Sequence, residues 1–270
     1  MLRRHRSYAV PSIYPPILQR NKSLELNDTP FDDAGCRELR RFANLSHLSL
    51  AGTRVTDVGL LQLRELGALK SLNLGRTEVT GEGLSDLTQL YKLTLDSTKV
   101  NDASISNIMS LSSLWILDLS HTATTDEGVE RLRELPLLQD LDLTGTAVKG
   151  DGFRLWVDQS QLETLTLSRS AFDDAGVKHL TVLPALKRLD LSETQITDAC
   201  LSDLKTITVE SLNLSKTRIT AAGLLDTEFE HYIELQIAPN QFTAAEIQLL
   251  EARLSVTITV VDGSEQSDGD

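Results

Sequence analysis

Aromatic residues are scarce in this chain: Phe, Trp and Tyr make up 4% of its 270 residues, although 40% of the residues are hydrophobic. Leucine takes their place and recurs at even intervals over most of the sequence. We therefore expect a core in which one aliphatic side chain occupies the same position many times.

Long apolar runs are also missing. No stretch approaches the roughly 18 apolar residues that a membrane span needs. Near the start, prolines interrupt the short apolar stretch YAVPSIYPPIL, which therefore lacks the continuous core of a signal peptide. We expect a cytoplasmic protein that does not bind a membrane.

The motifs of common catalytic and cofactor sites are absent as well. The sequence contains no G-x-G-x-x-G, no P-loop and no C-x-x-C. Four of its histidines, His47, His121, His179 and His231, lie far apart with no nucleophile at a matching spacing. We expect neither an enzyme nor a bound cofactor.

What the chain does contain is a repeated unit, best seen in residues 45–66, LSHLSLAGTRVTDVGLLQLREL. The last two leucines of its L-x-x-L-x-L have the two-residue period of a strand with one buried face. From Leu60 onward leucines recur every three residues, which predicts a short, tight helix. Thr56 and Asp57 precede that helix, and both residue types cap helix N-termini.

The unit recurs with an even period along the chain. The first leucines of successive L-x-L motifs are separated by 24, 24, 21, 24, 24, 24, 24, 23 and 23 residues. This spacing lies within the 20 to 29 residues of leucine-rich repeats. The marker leucines are Leu24, Leu48, Leu72, Leu93, Leu117, Leu141, Leu165, Leu189, Leu212 and Leu235. The third unit is three residues short, so we expect it to lose a helical turn without breaking the sheet.

The continuation T-x-V/I-T-D-x-G-L appears as TRVTDVGL at 53–60 and TQITDACL at 194–201. It resembles the leucine-rich repeats of the cysteine-containing type and their bacterial relatives, over about residues 23–250. The resemblance implies an α/β fold: a right-handed leucine-rich repeat solenoid, horseshoe or arc. A parallel β-sheet would form its concave face and short helices its convex face.

Three segments follow from the repeat and from the charges. Residues 1–22 carry five basic residues and no acidic one, and are expected to form a basic lead-in or N-terminal cap. Residues 23–262 form the leucine-rich repeat domain, with about ten repeats and a C-terminal cap helix and strand. Residues 263–270, GSEQSDGD, form a disordered acidic tail. Outside the first segment, 39 acidic residues face 26 − 5 = 21 basic ones.

Where the cysteine-containing type has Cys and other leucine-rich repeats have Asn, this chain has hydroxyl side chains. We predict that they bond backbone groups that leave the strand ladder, because a hydroxyl both donates and accepts. The column consists of Thr29, Thr53, Thr77, Thr98, Thr122, Thr146, Ser170, Thr194 and Thr217, and it ends at Asn240.

A second column, of small residues, opens each helix. Its exceptions to glycine, Ser104 and Cys200, are also small, which indicates that a neighbouring repeat approaches closely. We therefore predict negative φ angles at Ser104 and Cys200, since the column selects for small size. The glycines are Gly35, Gly59, Gly83, Gly128, Gly152, Gly176 and Gly223, and Glu246 ends the column.

The two cysteines, Cys36 and Cys200, fall in the first and eighth repeats. About seven strand spacings, or roughly 34 Å, would separate them, which is too far for a disulfide. We expect buried, unreactive thiols and no disulfide cap of the kind that secreted leucine-rich repeat proteins use.

Specificity is expected on the concave face, where the side chains that alternate with the buried leucines are mostly small and polar. Asp118 and Asp142 should lie in one column, roughly 4.8 Å apart, and like charges so placed repel. Three readings remain open: a solvated acidic surface, a site for a Lys/Arg-rich partner, or a metal site. An acid/base pair would need a cleft that an open sheet lacks. The candidate partner-binding residues are Asp96, Asp118, Asp140, Asp142, Asp190, Arg188, Lys92 and Ile116.

Two tryptophans differ in their expected roles. Trp156 occupies a core helix position, whereas Trp115 precedes the fifth strand and either packs against Tyr91 or forms an exposed binding anchor.

The sequence as a whole favours a non-catalytic protein–protein interaction scaffold, a monomer that binds a protein or a Lys/Arg-rich peptide and no nucleic acid. The alternative is the substrate-recognition component of a ligase-like or effector system. Relatives of the cysteine-containing type often carry an F-box, for which 22 residues are too short.

Overall fold

The computed structural model describes residues 22–157, 161–227, 233–254 and 256–261. The chain divides into two compact units. The first is Met1–Ala123 with Glu134–Leu138, and the second is Thr124–Arg133 with Gln139–Asp270. Most of the expected basic lead-in and all of the expected acidic tail lie outside the described residues.

The first unit is a parallel sheet whose strands pair in chain order, with the marker leucines of adjacent strands directly opposite one another. Short helices connect the strands. The strands are β1 (Ser23–Glu25), β2 (His47–Ser49), β3 (Ser71–Asn73), β4 (Lys92–Thr94) and β5 (Ile116–Asp118). The helices are α1 (Asp33–Glu38), α2 (Asp57–Leu63) and α3 (Ile105–Ile108), with 3-10 turns at Leu39–Arg41, Leu84–Asp86 and Asp102–Ser104.

The second unit repeats this arrangement, again with parallel strands and marker leucines in register. Its strands are β6 (Asp140–Asp142), β7 (Thr164–Thr166), β8 (Arg188–Asp190), β9 (Ser211–Asn213), β10 (Ile233–Ile237) and β11 (Val256–Val260). Its helices are α4 (Asp126–Leu132), α5 (Asp174–Leu180), α6 (Leu201–Leu204), α7 (Ala221–Asp226) and α8 (Ala244–Arg253), with 3-10 turns at Asp151–Phe153 and Asp198–Cys200. In both units the predicted α/β leucine-rich repeat fold is confirmed.

The core consists of the repeated leucines, as predicted. Leu48, Leu50, Leu60 and Leu63 of the second repeat are each at most 2% exposed, and most of their counterparts elsewhere are similarly buried, although Leu24 of the first repeat is half-buried. Trp156 is fully buried, and its indole N–H donates to the carbonyl of Val129 at 3.1 Å. The position predicted to be core is therefore core, and its one polar atom is satisfied.

The short third repeat has lost its α-helix and keeps one 3-10 turn, Leu84–Asp86. The register is unaffected, since Leu72 still lies opposite Leu93. Both parts of the prediction for this repeat are confirmed. The shortened path is accommodated by left-handed backbone at Gly81 (φ +98°) and Gly83 (φ +89°).

Several helices and 3-10 turns begin with two polar residues that have different partners, which the sequence did not reveal. Thr56 caps α2 by accepting from the N–H of Val58. The carboxylate of Asp57 instead accepts from the backbone N–H groups of Thr80 and Gly81 in the next repeat. Reading both residues as caps was therefore wrong for the aspartate, which ties one repeat to its neighbour. The same relay joins Asp33 to Thr56, Asp126 to Lys149 and Gly150, Asp174 to Thr197, and Asp198 to Thr220.

The residue before each hydroxyl is a third column, which sequence analysis missed. Its backbone is left-handed, with φ between +54° and +68°, although most of its residues carry side chains. In the last repeat this position is Pro239, whose ring fixes φ near −65°, and Asn240 takes the left-handed conformation instead. The column is Asp28, Gly52, Arg76, Ser97, His121, Gly145, Arg169, Glu193 and Lys216.

Charged side chains in this left-handed column pair with one another. Arg169 and Lys216 each lie 3.0 Å from the same oxygen of Glu193 and hold the pKa of that carboxyl at about 2. Arg76 reaches Asp28 across Gly52, where a Cβ would stand 2.2 Å from the Asp28 carboxylate. These exposed pairs each stabilise the fold by up to about 1 kcal/mol, which helps to offset the left-handed backbone.

The helix and the strand predicted after Asn240 are present as α8 and β11. Thr243 and Glu246 make a capping box at the start of α8, in which each side chain bonds the other's backbone N–H. Leu250 is the fully buried residue on the inner side of that helix, and β11 pairs with β10 over five residues. No helix among the described residues has the length and apolarity to cross a membrane.

The hydroxyl column is structural, as predicted. Each side chain donates to the carbonyl of the leucine three residues earlier, at 2.6 to 2.8 Å.

We expect Thr194→Val to destabilise the protein by about 1–2 kcal/mol, because the buried Leu191 carbonyl loses its donor. The measurement is urea denaturation. Thr181→Val is the control, since this exposed hydroxyl donates to Lys178 at 2.7 Å where water can replace it. Equal losses in both variants would contradict the role of burial.

The small-residue column is confirmed too, because Ser104 (φ −67°) and Cys200 (φ −86°) have negative φ angles. At Gly152 a Cβ would meet the Asp126 carbonyl at 2.6 Å and the Val129 Cβ at 2.8 Å, both in the preceding repeat. Gly83, with its positive φ, is the exception.

We expect Gly152→Ala to cost about 1–3 kcal/mol of folding free energy, since neither neighbour can move aside easily. Gly67→Ala is the matched control, because no atom lies within 4 Å of its added Cβ. Thermal and urea denaturation of both variants check this expectation. A Gly152→Ala variant as stable as Gly67→Ala would show that the neighbouring repeat can shift.

Candidate functional site

The candidate site lies on the side of each sheet that we call the open face: the residues on either side of the buried marker leucine. In most described strands these flanking residues are half-buried and the leucine is buried. Within each unit neighbouring strands are hydrogen-bonded to one another, which sets the spacing of these residues. The predicted site residues all fall on this face or directly after it, four in each unit.

In the first unit, the open face brings together Lys92 and Ile116, which are register partners on β4 and β5. Asp118 lies opposite Thr94 on the same two strands. Asp96 follows β4, and its carboxylate accepts from the hydroxyl of Ser120 at 3.2 Å. This residue set combines an aliphatic side chain and one ammonium group with two carboxylates.

Asp118 is the most tightly held of these acids. One of its oxygens accepts from both the backbone N–H (2.8 Å) and the hydroxyl (2.6 Å) of Ser120. Burial raises the pKa of the Asp118 carboxyl above 3.8 and outweighs the Ser120 hydrogen bonds, which lower it. The nearby Asp96 carboxylate raises it further, and His121 opposes this. A cation placed here would favour the charged carboxylate and would therefore oppose the rise in pKa.

Trp115, which directly precedes β5, is 47% exposed. Its backbone N–H donates to the Tyr91 carbonyl at 2.8 Å, so the backbone of this residue is held at the start of the strand. Of the two roles left open for this residue, the exposed anchor accounts better for that exposure. Trp115 directly precedes Ile116 in the chain, so an exposed apolar side chain lies at the start of the strand that carries Ile116 and Asp118.

In the second unit the predicted residues are more dispersed. Asp140 and Arg188 are each opposite Thr164, which separates them by one strand. Arg188 donates twice to the Thr164 hydroxyl, at 3.1 and 2.9 Å. Asp142 and Asp190 are each opposite Thr166, so one strand separates them as well. The second carboxylate oxygen of Asp190 accepts from the Asn213 amide at 2.9 Å.

The aspartates share a structural task that the sequence did not reveal. Asp118, Asp142 and Asp190 each accept from the backbone N–H two residues later, at 2.8 Å. Asn73 and Asn213 make the same bond at the equivalent positions, at 2.9 and 3.0 Å. An amide therefore suffices for the turn, and the negative charge of an aspartate is not required by the fold. The neutral and charged versions of one position occur side by side in this chain.

Metal binding and thiol chemistry find little support in the described residues. The described residues contain no group of three His, Cys, Asp or Glu side chains that could hold a metal ion. Cys36 and Cys200 are buried and free, and burial raises the pKa of both thiols to about 12. Asp118 and Asp142 belong to different units, so the spacing predicted between them stays a prediction.

We expect Asp118→Asn to increase stability at pH 7, because the amide keeps the turn bond and removes a desolvated charge. The gain should shrink as the pH falls towards about 4, since the raised pKa lets the wild-type carboxyl take up a proton in the folded state. Asp118→Ala is the control and should lose stability, because it leaves the Ser120 N–H without its acceptor. Urea denaturation at several pH values tests this, and a gain independent of pH would contradict it.

Comparison with known proteins agrees with this geometry. Residues 69–87 match the family model described as Leucine Rich repeat. An internalin from Listeria monocytogenes is similar in structure, with a TM-score of 0.56 and 22% identity over 75% of this chain and 57% of the internalin chain. A chain of the mouse RP105/MD-1 complex has a TM-score of 0.66 and 20% identity over 89% of this chain and 43% of the mouse chain.

The chain thus spans about half the length of the solved structures that it resembles. Comparison of the sequence with curated proteins finds no match. The cysteine-containing type stays a prediction. The repeat period, the parallel strands of each unit and these comparisons agree that the chain has the leucine-rich repeat fold.

Proposed function

We propose that this protein is a non-catalytic interaction scaffold that binds a Lys/Arg-rich protein or peptide on the open face of its first unit. Leucine-rich repeat proteins generally serve as scaffolds for protein interactions, and one structure with this fold, from mouse, is of the RP105/MD-1 complex. The net charge of −13 favours a basic partner and disfavours nucleic acid.

The exposed Trp115 beside Ile116 is the observation that carries this proposal. Tryptophan is enriched among the residues that contribute most to protein–protein binding, because its large apolar ring needs only two torsions to be fixed. Here the ring is 47% exposed while its backbone is bonded into the sheet. A partner side chain could therefore cover the indole without reordering the strand.

The carboxylates on the open face of the first unit supply the preference for a basic partner. Asp96 and Asp118 are oriented by Ser120 before any partner arrives. Asp118 bears a charge that burial disfavours, so a Lys or Arg side chain of the partner would relieve that cost and gain a charge-assisted hydrogen bond. We place this function in the cytoplasm, where the two free thiols would stay reduced.

A random peptide library displayed on phage, selected on the whole immobilised protein, tests the proposal. We expect the selected peptides to be rich in Lys or Arg and to bind more weakly as the salt concentration rises. Trp115→Ala should weaken the binding of a selected peptide by about tenfold or more. Asp118→Asn should also weaken binding and should reduce the salt dependence.

The control is Val58→Ala, which removes an apolar side chain that is 61% exposed on α2, away from the open face. Its affinity for the same peptide, measured by calorimetry, should equal that of the wild type. Peptides without basic residues, or peptides that bind Trp115→Ala and wild type equally, would refute the proposed site.

A further inference from the structure

The last strand of the second unit, β11, ends the described sheet and pairs with β10 alone. It is five residues long, whereas the strands from β6 to β9 have three each. Its sequence, V-T-I-T-V, is β-branched throughout, carries no charge and reads the same in both directions. Such an edge is a template for the addition of another strand.

The backbone direction of each residue in β11 follows from its pairing. The N–H of Val261 donates to the Ile237 carbonyl of β10 at 2.9 Å. Because directions alternate along a strand, the N–H groups of Val256, Ile258 and Val260 point away from β10, towards the free edge. The N–H of Ile258 indeed leaves the sheet and donates to the Glu251 carboxylate of α8, at 3.4 Å.

The apolar side of this edge is uncovered. Ile258 and Val260 lie opposite Leu235 and Ile237 of β10, which are 3% and 1% exposed. Val260 itself is 53% exposed and Ile258 is half-buried, and among the described residues no further repeat packs against them. These two side chains therefore stand at positions that are buried in the preceding repeat, but they are themselves partly exposed to solvent.

We propose that the free edge of β11 binds the β11 strand of a second copy of this chain, in antiparallel pairing about a two-fold axis at Ile258. The palindrome is the argument for a second copy. It places Val256 opposite Val260 of the partner copy and Ile258 opposite itself, so each apolar residue meets an apolar one. The outward residues are then all hydrogen-bonded pairs, which exchange both N–H···O bonds.

Glu251 controls access to this edge. Its carboxylate occupies the N–H of Ile258 that the second copy needs, and it is exposed and can swing away. Pairing must replace a hydrogen bond to a charged acceptor, which makes the dimer weak and dependent on concentration. The monomer expected from the sequence is then the species present in dilute solution.

Disulfide trapping of the full chain tests the pairing geometry. In hydrogen-bonded antiparallel pairs the opposing Cα atoms lie about 5.5 Å apart, within the range that a disulfide can bridge. We expect Ile258→Cys to form a disulfide-linked dimer under mild oxidation. Thr257→Cys, one residue away, faces position 259 of the other copy and should remain largely unlinked. The native thiols are buried and do not interfere. Equal linking of both variants, or of neither, would overturn the proposal.

Sedimentation velocity over a range of concentrations supplies a test without cysteine. Glu251→Ala should tighten the dimer by about tenfold, which corresponds to about 1.4 kcal/mol. Val260→Lys should abolish it, and this exposed site tolerates the new side chain. Glu130→Ala, an exposed glutamate of α4, controls for the change in net charge. If Glu251→Ala stays monomeric at every concentration, or if Val260→Lys dimerises like the wild type, the edge does not bind a second copy.

Discussion

The bend that follows each strand is the constraint on which the rest of the structure depends. After two or three residues the backbone must leave the ladder, and the carbonyl of the second core leucine must still find a donor. A threonine or serine hydroxyl supplies that donor in every repeat from Thr29 to Thr217. The residue just before the hydroxyl turns left-handed to make the bend. Because this geometry is the same in each repeat, successive strands begin in register.

The same constraint explains why the two columns around the bend tolerate such different residues. From Thr29 to Thr217 the hydroxyl column varies between Thr and Ser alone, since in most repeats its side chain makes a buried bond of 2.6 to 2.7 Å. The left-handed column varies from Gly to Arg, Glu and His, because its side chains project into solvent. A cost of roughly 1–2 kcal/mol for each left-handed L-residue is partly offset where neighbours form ion pairs, as Arg169, Glu193 and Lys216 do.

Most of the fold could be predicted from the sequence because its determinants are periodic. The leucine spacing predicts the strands, their parallel order and their register, and the small size of Ser104 and Cys200 reveals the close contact between repeats. The left-handed column could not be predicted, because Arg169 and Glu193 have no intrinsic preference for that conformation. The relay from Asp57 to Thr80 was also hidden, since a helix-capping aspartate has the same sequence context.

For the site, the sequence indicated which residues lie on the open face, but it did not indicate the hydrogen bonds that its aspartates make. In the sequence, Asp118 and Asp142 stand out only as negative charges. In the structure, each carboxylate accepts a hydrogen bond from the turn after its own strand, and the neutral Asn73 makes the same bond. Exposure of the Trp115 ring depends on packing between neighbouring repeats, which no local pattern encodes.

The ends of the array follow a different rule from its middle. An internal repeat has its backbone edges and its apolar face covered by the repeats on either side. At the C-terminal end, α8 covers part of the apolar face, and the carboxylate of Glu251 accepts from one outward N–H of β11. That carboxylate satisfies the donor without burying Val260, so the edge is weakly protected and keeps its apolar surface. The feature that protects this edge against indiscriminate pairing therefore leaves it able to bind a strand of matching sequence.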